Sequence, residues 1–174
     1  MPVSYIQYGV PVLGAGVLGT YAYGLTQKVD KHKLWAGLGH KKLKMFWGLT
    51  AMLTAISFIY LYWLFGFGLE DETNHDFYHV LIAGYVIFFI GALAWMPATI
   101  SHLSKPSQIK RQLVRVALWL TAIGSGFILH SSVNLPSASP GEESEWKKRL
   151  ALSSGILMLV QHLFWDAIVW DSTF

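Results

Sequence analysis

Two residues near the end of the chain carry the side chains best suited to proton chemistry, His162 and Asp166. Their spacing of four places both on one face of a helix, where they can bond to each other. Ionisable groups inside a membrane are costly and usually functional. We therefore expect one of two arrangements. Either the pair is buried in a helix bundle, as a proton relay or a polar latch, or Asp166 reaches the membrane interface.

A buried Asp166 needs a hydrogen-bond donor, because burying an unpaired carboxylate is very costly. The candidate donors are His162 itself and the hydroxyl groups of Thr50, Thr54 and Thr121 on other apolar segments. Thr50 and Thr54 share one helical face with Ser57, so that face can meet a neighbouring helix through hydrogen bonds.

A second pair of histidines suggests ligation of a cofactor. His79 begins one apolar segment and His130 ends the next, so antiparallel helices would hold both at the same depth. Two histidines at one depth can ligate haem, and a single histidine can bind the magnesium of chlorophyll. His79 and His130 are therefore candidate haem or pigment ligands, and two interfacial histidines without a ligand are the alternative. No metal site is predicted, since the chain has no cysteine and the acidic run 70–72 lacks the spacing of a calcium loop.

Motifs for enzyme chemistry are missing from the sequence. It contains no glycine-rich phosphate loop, no G-x-S-x-G elbow and no H-E-x-x-H metal motif. The adjacent Ser153 and Ser154 have no plausible base other than His162, which is more than two turns away. We therefore expect a protein that is not an enzyme.

Long apolar runs position these residues. The chain is 53% hydrophobic and 13% charged, and the uncharged run 77–99 reaches about 34 Å as a helix, enough to cross a bilayer. In lipid only a helix satisfies the backbone of such a run. The sequence predicts an all-α polytopic transmembrane bundle in a single domain, 1–174. Five spans are expected, of which the first, glycine-rich one is the weakest: about 5–26, 45–69, 77–101, 116–133 and 150–169.

Basic residues predict the orientation of the bundle. The first and third connections together hold ten Lys or Arg residues and the second holds none. The positive-inside rule then places the C-terminus on the cytoplasm-like side and the N-terminus on the other side. The triplet 147–149 is the discordant feature. Because the basic residues flank spans, the net charge of +3 does not indicate nucleic-acid binding. An organellar membrane, mitochondrial or thylakoid, is the expected location.

Several tryptophan motifs resemble one membrane family. The first connection contains W-x-x-L at Trp35 and Leu38, Trp95 precedes Pro97 in the third span, and the fifth span ends in Trp170–Asp171. These are similar to motifs of the translocator protein (tryptophan-rich sensory protein) family, which also has five spans. The resemblance implies a pocket for tetrapyrroles or sterols, capped by a lid that includes Trp35 and Leu38.

Two functions remain open from the sequence. The first is an accessory or structural subunit of a larger membrane complex, with other membrane subunits and lipids as partners. Little chain lies outside the membrane, and Gly16, Thr20 and Gly24 form a small-residue face suited to helix packing. The alternative is a translocator-protein-like binder of a hydrophobic ligand or tetrapyrrole, such as haem, chlorophyll or a sterol. No cofactor is required by the first function.

Overall fold

The computed structural model describes residues 3–29, 41–69, 75–135 and 142–170. Throughout these ranges the regular structure is helical, without strands. A short π-helix, Tyr5–Gly9, leads into the first α-helix, and the fifth α-helix continues as a π-helix, Val160–Trp170. The α-helices are α1 (Val10–Thr26), α2 (Lys41–Phe67), α3 (His75–Ser104), α4 (Gln108–Val133) and α5 (Glu142–Leu159).

Four of these helices are long and apolar enough to cross a membrane. The qualifying segments lie in α2, α3, α4 and in α5 with its π-helix, whereas α1 has only 17 residues. The all-α, multi-pass fold class predicted from the sequence is confirmed. The first, glycine-rich segment is a helix but is not one of these four.

The helices extend past the apolar runs from which their spans were predicted. α4 begins at Gln108 rather than near 116, and α5 begins at Glu142 rather than near 150. The added turns are charged, and charged residues are stable in a helix once it leaves the hydrocarbon layer. α3 and α4 are separated only by 105–107, where Pro106 interrupts the chain and Ser107 caps α4 by accepting a hydrogen bond from the Lys110 amide.

Contacts between helices set their order around the bundle. α1 packs on α3, α3 on α4, α4 on α5 and α5 on α2, while the N-terminal π-helix touches α2. The circular order is therefore α1, α3, α4, α5, α2. Sequence neighbours α1 and α2 meet through the π-helix, and the last helix fills the place between α2 and α4.

Glycines bring α3 and α4 into close contact. A Cβ at Gly91 would lie 2.5 Å from the carbonyl oxygen of Ala117, and one at Gly84 would lie 2.8 Å from the Cβ of Phe127. Only glycine permits such an approach of two backbones, and close packing is what holds helices together in lipid. Gly84 faces Phe127 and the later Gly91 faces the earlier Ala117, so the two helices are antiparallel. The start of α3 therefore lies beside the end of α4.

Aromatic rings fill the space between α2 and α3. Phe58 of α2 contacts three rings of α3, with centroids 5.7 to 5.9 Å apart: Tyr85, Phe88 and Phe89. Nearer the start of α3, Phe65 meets Phe77 at 5.9 Å. Large rings can join helices whose backbones lie farther apart than those of α3 and α4.

The N-terminal π-helix is fastened to the end of α2. Gln7 donates from Nε2 to the carbonyl oxygen of Gly66 at 2.6 Å, which satisfies one of the carbonyl groups left unpaired at a helix C-terminus. Tyr62 donates its hydroxyl to the carbonyl oxygen of Gln7 at 3.1 Å. Pro11 has no N–H to offer that carbonyl, so the tyrosine takes the place of an intrahelical donor.

Candidate functional site

A series of hydrogen bonds joins α2 to α5 and its π-helix. We call this series the polar seam. It consists of four hydrogen bonds, each donated by a different residue of α2. Three of the four donors are hydroxyl groups, and the fourth is an indole N–H. The bonds run from Tyr60 to the Lys147 carbonyl (3.3 Å), Thr54 to the Leu157 carbonyl (3.3 Å), Thr50 to the Gln161 side chain (2.7 Å) and Trp47 to Asp166 (3.0 Å).

The carboxylate of Asp166 is held at the end of the polar seam. Trp47 donates from Nε1 to Oδ1 at 3.0 Å, and Gln161 donates from Nε2 to the same oxygen at 3.2 Å. Both donors are neutral, and both bind Oδ1. Among the described residues no donor binds Oδ2.

Gln161 is fixed between two partners. It is 3% exposed, and its Oε1 lies 2.7 Å from the Thr50 hydroxyl while its Nε2 faces Asp166. In this orientation each polar atom of the amide has a partner, Oε1 the Thr50 hydroxyl and Nε2 the carboxyl oxygen of Asp166. The Thr50 hydroxyl has a single proton and shares it between Gln161 and the Trp47 carbonyl oxygen, 2.9 Å away.

His162 lies between α3 and α4. Its Nδ1 is 2.7 Å from the carbonyl oxygen of Met158 and 3.0 Å from the hydroxyl oxygen of Ser125. Phe88 presents its ring edge-on at a centroid distance of 5.1 Å. The Ser125 hydroxyl itself donates to the Thr121 carbonyl at 2.9 Å, so the serine accepts from the histidine.

The π-helix turns His162 and Asp166 toward the bundle interior. Val160, Phe164 and Ile168 are 41%, 49% and 47% exposed and form its outward stripe. His162 and Asp166 fall midway between these positions along the chain and hence on the opposite side of the helix. Both side chains are half-buried. Segments of π-helix are rare and are frequently found at functional sites.

The partners of Asp166 differ from those expected. The expected donors were His162 or a threonine hydroxyl, but Trp47 and Gln161 fill that role, and no hydrogen bond joins His162 to Asp166 in the described part of the chain. The sequence does contain a signal for Trp47. It precedes Thr50 by three residues and Thr54 by seven, and so extends the polar face of α2.

The candidate haem or pigment ligands lie at the same end of the α3–α4 pair but on exposed surfaces. His79 and His130 are both exposed, and the ring nitrogens of His130 lie 3.3 and 3.5 Å from the Asn134 amide nitrogen. In the four described ranges no three His, Asp or Glu side chains are grouped as metal ligands. Trp35 and Leu38, the expected lid, lie outside the described residues.

Comparison of the chain with protein-family models, curated proteins and solved structures found no match. The resemblance to the translocator protein family therefore rests on the short tryptophan motifs alone. What the structure contributes is a multi-pass bundle with one interior polar seam. Proposals on function have to begin from that seam and from the outer surface of the bundle.

Proposed function

We propose that this protein is a non-enzymatic subunit of a larger membrane assembly. The supporting observation is the outward face of α1, where Ala15, Gly19 and Ala22 are all exposed. A Cβ added at Gly19 would meet nothing within 4 Å. Within α1 only Val10 and Gly24 are buried, so most of this helix has no partner inside the described bundle.

Small residues on an exposed helix face favour contact with another helix. In lipid, helices associate through close packing, and a small-xxx-small pattern such as Ala15 to Gly19 allows it. The neighbouring small residues of α1 already serve this purpose within the chain. Gly16 faces Leu93 and Gly24 faces Met96, with Cβ positions 3.1 and 2.6 Å from those side chains. The face formed by Ala15, Gly19 and Ala22 remains for a helix of a partner subunit.

Native gel electrophoresis after gentle detergent extraction tests this function. We expect the wild-type protein to migrate with a large complex, and Gly19→Leu to be released from it. Gly48→Leu is the matched control, because Gly48 is also exposed and has open space around it but lies on α2. A wild-type protein that migrates alone as a monomer or dimer contradicts the proposal, as does equal retention of both variants in the complex.

A membrane-embedded ligand binder is the second candidate, and the inward polar seam favours it. Specific binding of a hydrophobic molecule needs a few fixed polar groups inside an apolar enclosure, and Asp166 and His162 are such groups. A bound tetrapyrrole would absorb between about 400 and 700 nm, because haem and chlorophyll supply that chemistry. The extracted band should be measured over that range, and a flat spectrum eliminates haem and chlorophyll but leaves colourless ligands.

A further inference from the structure

The interior site has two hydrogen-bond acceptors without a donor. Within the described residues, Oδ2 of Asp166 receives no hydrogen bond, since Trp47 and Gln161 both bind Oδ1. The second acceptor follows from the tautomer of His162. Because the Met158 carbonyl oxygen only accepts, the proton must be on Nδ1, and Nε2 of the neutral ring carries a lone pair.

Four of the nearby donors are already engaged. The Trp47 indole and the Gln161 amide donate to Asp166, and the Ser125 hydroxyl donates to the Thr121 carbonyl. The Thr50 hydroxyl donates to Trp47 or Gln161. When Asp166 is ionised, the site holds one formal negative charge against neutral hydrogen-bond partners. A carboxylate in a low-dielectric interior is strongly stabilised by a cation that also donates hydrogen bonds.

We propose that this site binds a protonated amine that carries an apolar body. The ammonium group donates to Oδ2 of Asp166 and to Nε2 of His162, which share one face of the π-helix about one turn apart. The Phe88 ring, which stands edge-on to His162 at 5.1 Å, contacts the apolar part. This inference rests on the second candidate function, ligand binding, and does not depend on the subunit role.

A metal ion fits the site less well than an ammonium group. Hard cations take about six or more oxygen ligands, and the described residues offer one carboxylate with no third ionisable ligand beside His162. An ammonium group needs only two or three acceptors, and an aromatic face adds a cation–π contact.

Matched small molecules test the proposal on the full-length protein in nanodiscs of neutral phosphatidylcholine. The probes are 2-phenylethylamine, its trimethylammonium analogue, 2-phenylethanol and 3-phenylpropionate, titrated at pH 7 with intrinsic tryptophan fluorescence as the readout. We expect the amine to bind about tenfold or more tightly than the alcohol, which is the effect of one charge-assisted hydrogen bond. The trimethylammonium analogue should bind more weakly than the amine because it has no N–H, and the carboxylate should bind least.

Two isosteric variants locate the effect. Asp166→Asn should reduce the affinity for the amine to that for the alcohol, whereas Asp76→Asn, which removes an exposed charge at the start of α3, should preserve the preference. If Asp166→Asn does not fold, the order of the four probes on the wild-type protein decides alone.

Each contrary result has a distinct meaning. Equal affinity for amine and alcohol overturns the amine site but leaves the ligand-binding candidate standing. A fluorescence change that follows pH alone, with no preference among the probes, shows a protonation site and likewise overturns the proposal. Failure of all four probes to bind overturns the amine site and leaves the ligand-binding candidate to larger hydrophobic molecules.

Discussion

Gly124 of α4 lies directly against the backbone of Phe88 of α3, so closely that a Cβ at Gly124 would overlap the Phe88 amide nitrogen. The ring of that same phenylalanine stands edge-on to His162 at 5.1 Å. Because Gly124 has no side chain, the Phe88 backbone can lie against α4, and this position places the Phe88 ring beside His162. The packing of α3 on α4 and the geometry of the polar site are linked through this contact.

Gly124→Ala should destabilise the bundle. The new methyl group must push α3 and α4 apart, and overpacking of this kind costs about 1–3 kcal/mol. The matched control is Gly126→Ala on the same helix, where a Cβ would meet nothing within 4 Å. Because alanine favours helix more than glycine, the control should be neutral or stabilising by up to about 1 kcal/mol. Unfolding in mixed micelles with increasing denaturing detergent measures both, and similar stabilities for the two variants would contradict the close contact.

Asp166→Leu should weaken the contact between α2 and the π-helix. The substitution leaves the Trp47 indole and the Gln161 amide without their acceptor, at about 1–3 kcal/mol for a buried donor. Interhelical hydrogen bonds in membranes lie toward the low end of such values, so the bundle should loosen but remain folded. The same unfolding assay applies, with Asp76→Leu as the exposed control. An unchanged stability for Asp166→Leu would indicate that the carboxylate reaches the headgroups instead.

Gln7→Leu should release the N-terminal π-helix from α2. The Gly66 carbonyl loses the 2.6 Å hydrogen bond that joins it to the N-terminal segment. Amide hydrogen exchange over residues 5–12 should therefore become faster, while exchange in α3 and α4 stays slow. Gln27→Leu is the control, since the Gln27 side chain bonds only to nearby Tyr23 and Thr26. Equal exchange in both variants would show that the Gln7 bond does not hold this segment.

The orientation expected from the basic residues can be tested with inserted tags. A tag after Phe174 should be accessible from the cytoplasm-like side, and one inserted at Ser139 from the opposite side. Accessibility of both tags from one side would mean that the number of spans between them differs from one. Fractionation of cells that express the tagged protein checks the predicted mitochondrial or thylakoid location in the same experiment.

Composition and uncharged runs were sufficient to predict the fold class. A run such as 77–99 has only one stable backbone conformation in lipid, so the helix follows from the residues alone. The ends of helices were less predictable, because α4 begins at Gln108, in a turn whose charged residues place it outside the uncharged run. Hydropathy predicts which residues lie in the hydrocarbon layer, and a helix can extend beyond that layer.

The partners within the site depended on which helices meet. Spacing alone put His162 and Asp166 on one face, but the donors to Asp166 include Trp47, which is 119 positions away in the chain. A periodic pattern identifies the polar face of each helix and leaves open which other helix it faces. The π-helix adds a second obstacle, since its turns are wider than the α-helical spacing used to place His162 and Asp166 on one face.

The packing of α1 on α3 has a consequence for the order in which the helices can assemble during synthesis. α1 leaves the ribosome first, yet the surface that receives Gly16 and Gly24 lies on α3, around Leu93 and Met96. That surface does not exist until two further helices have been synthesised. During translation the small-residue faces of α1 that pack on α3 therefore stay uncovered until α3 has been made.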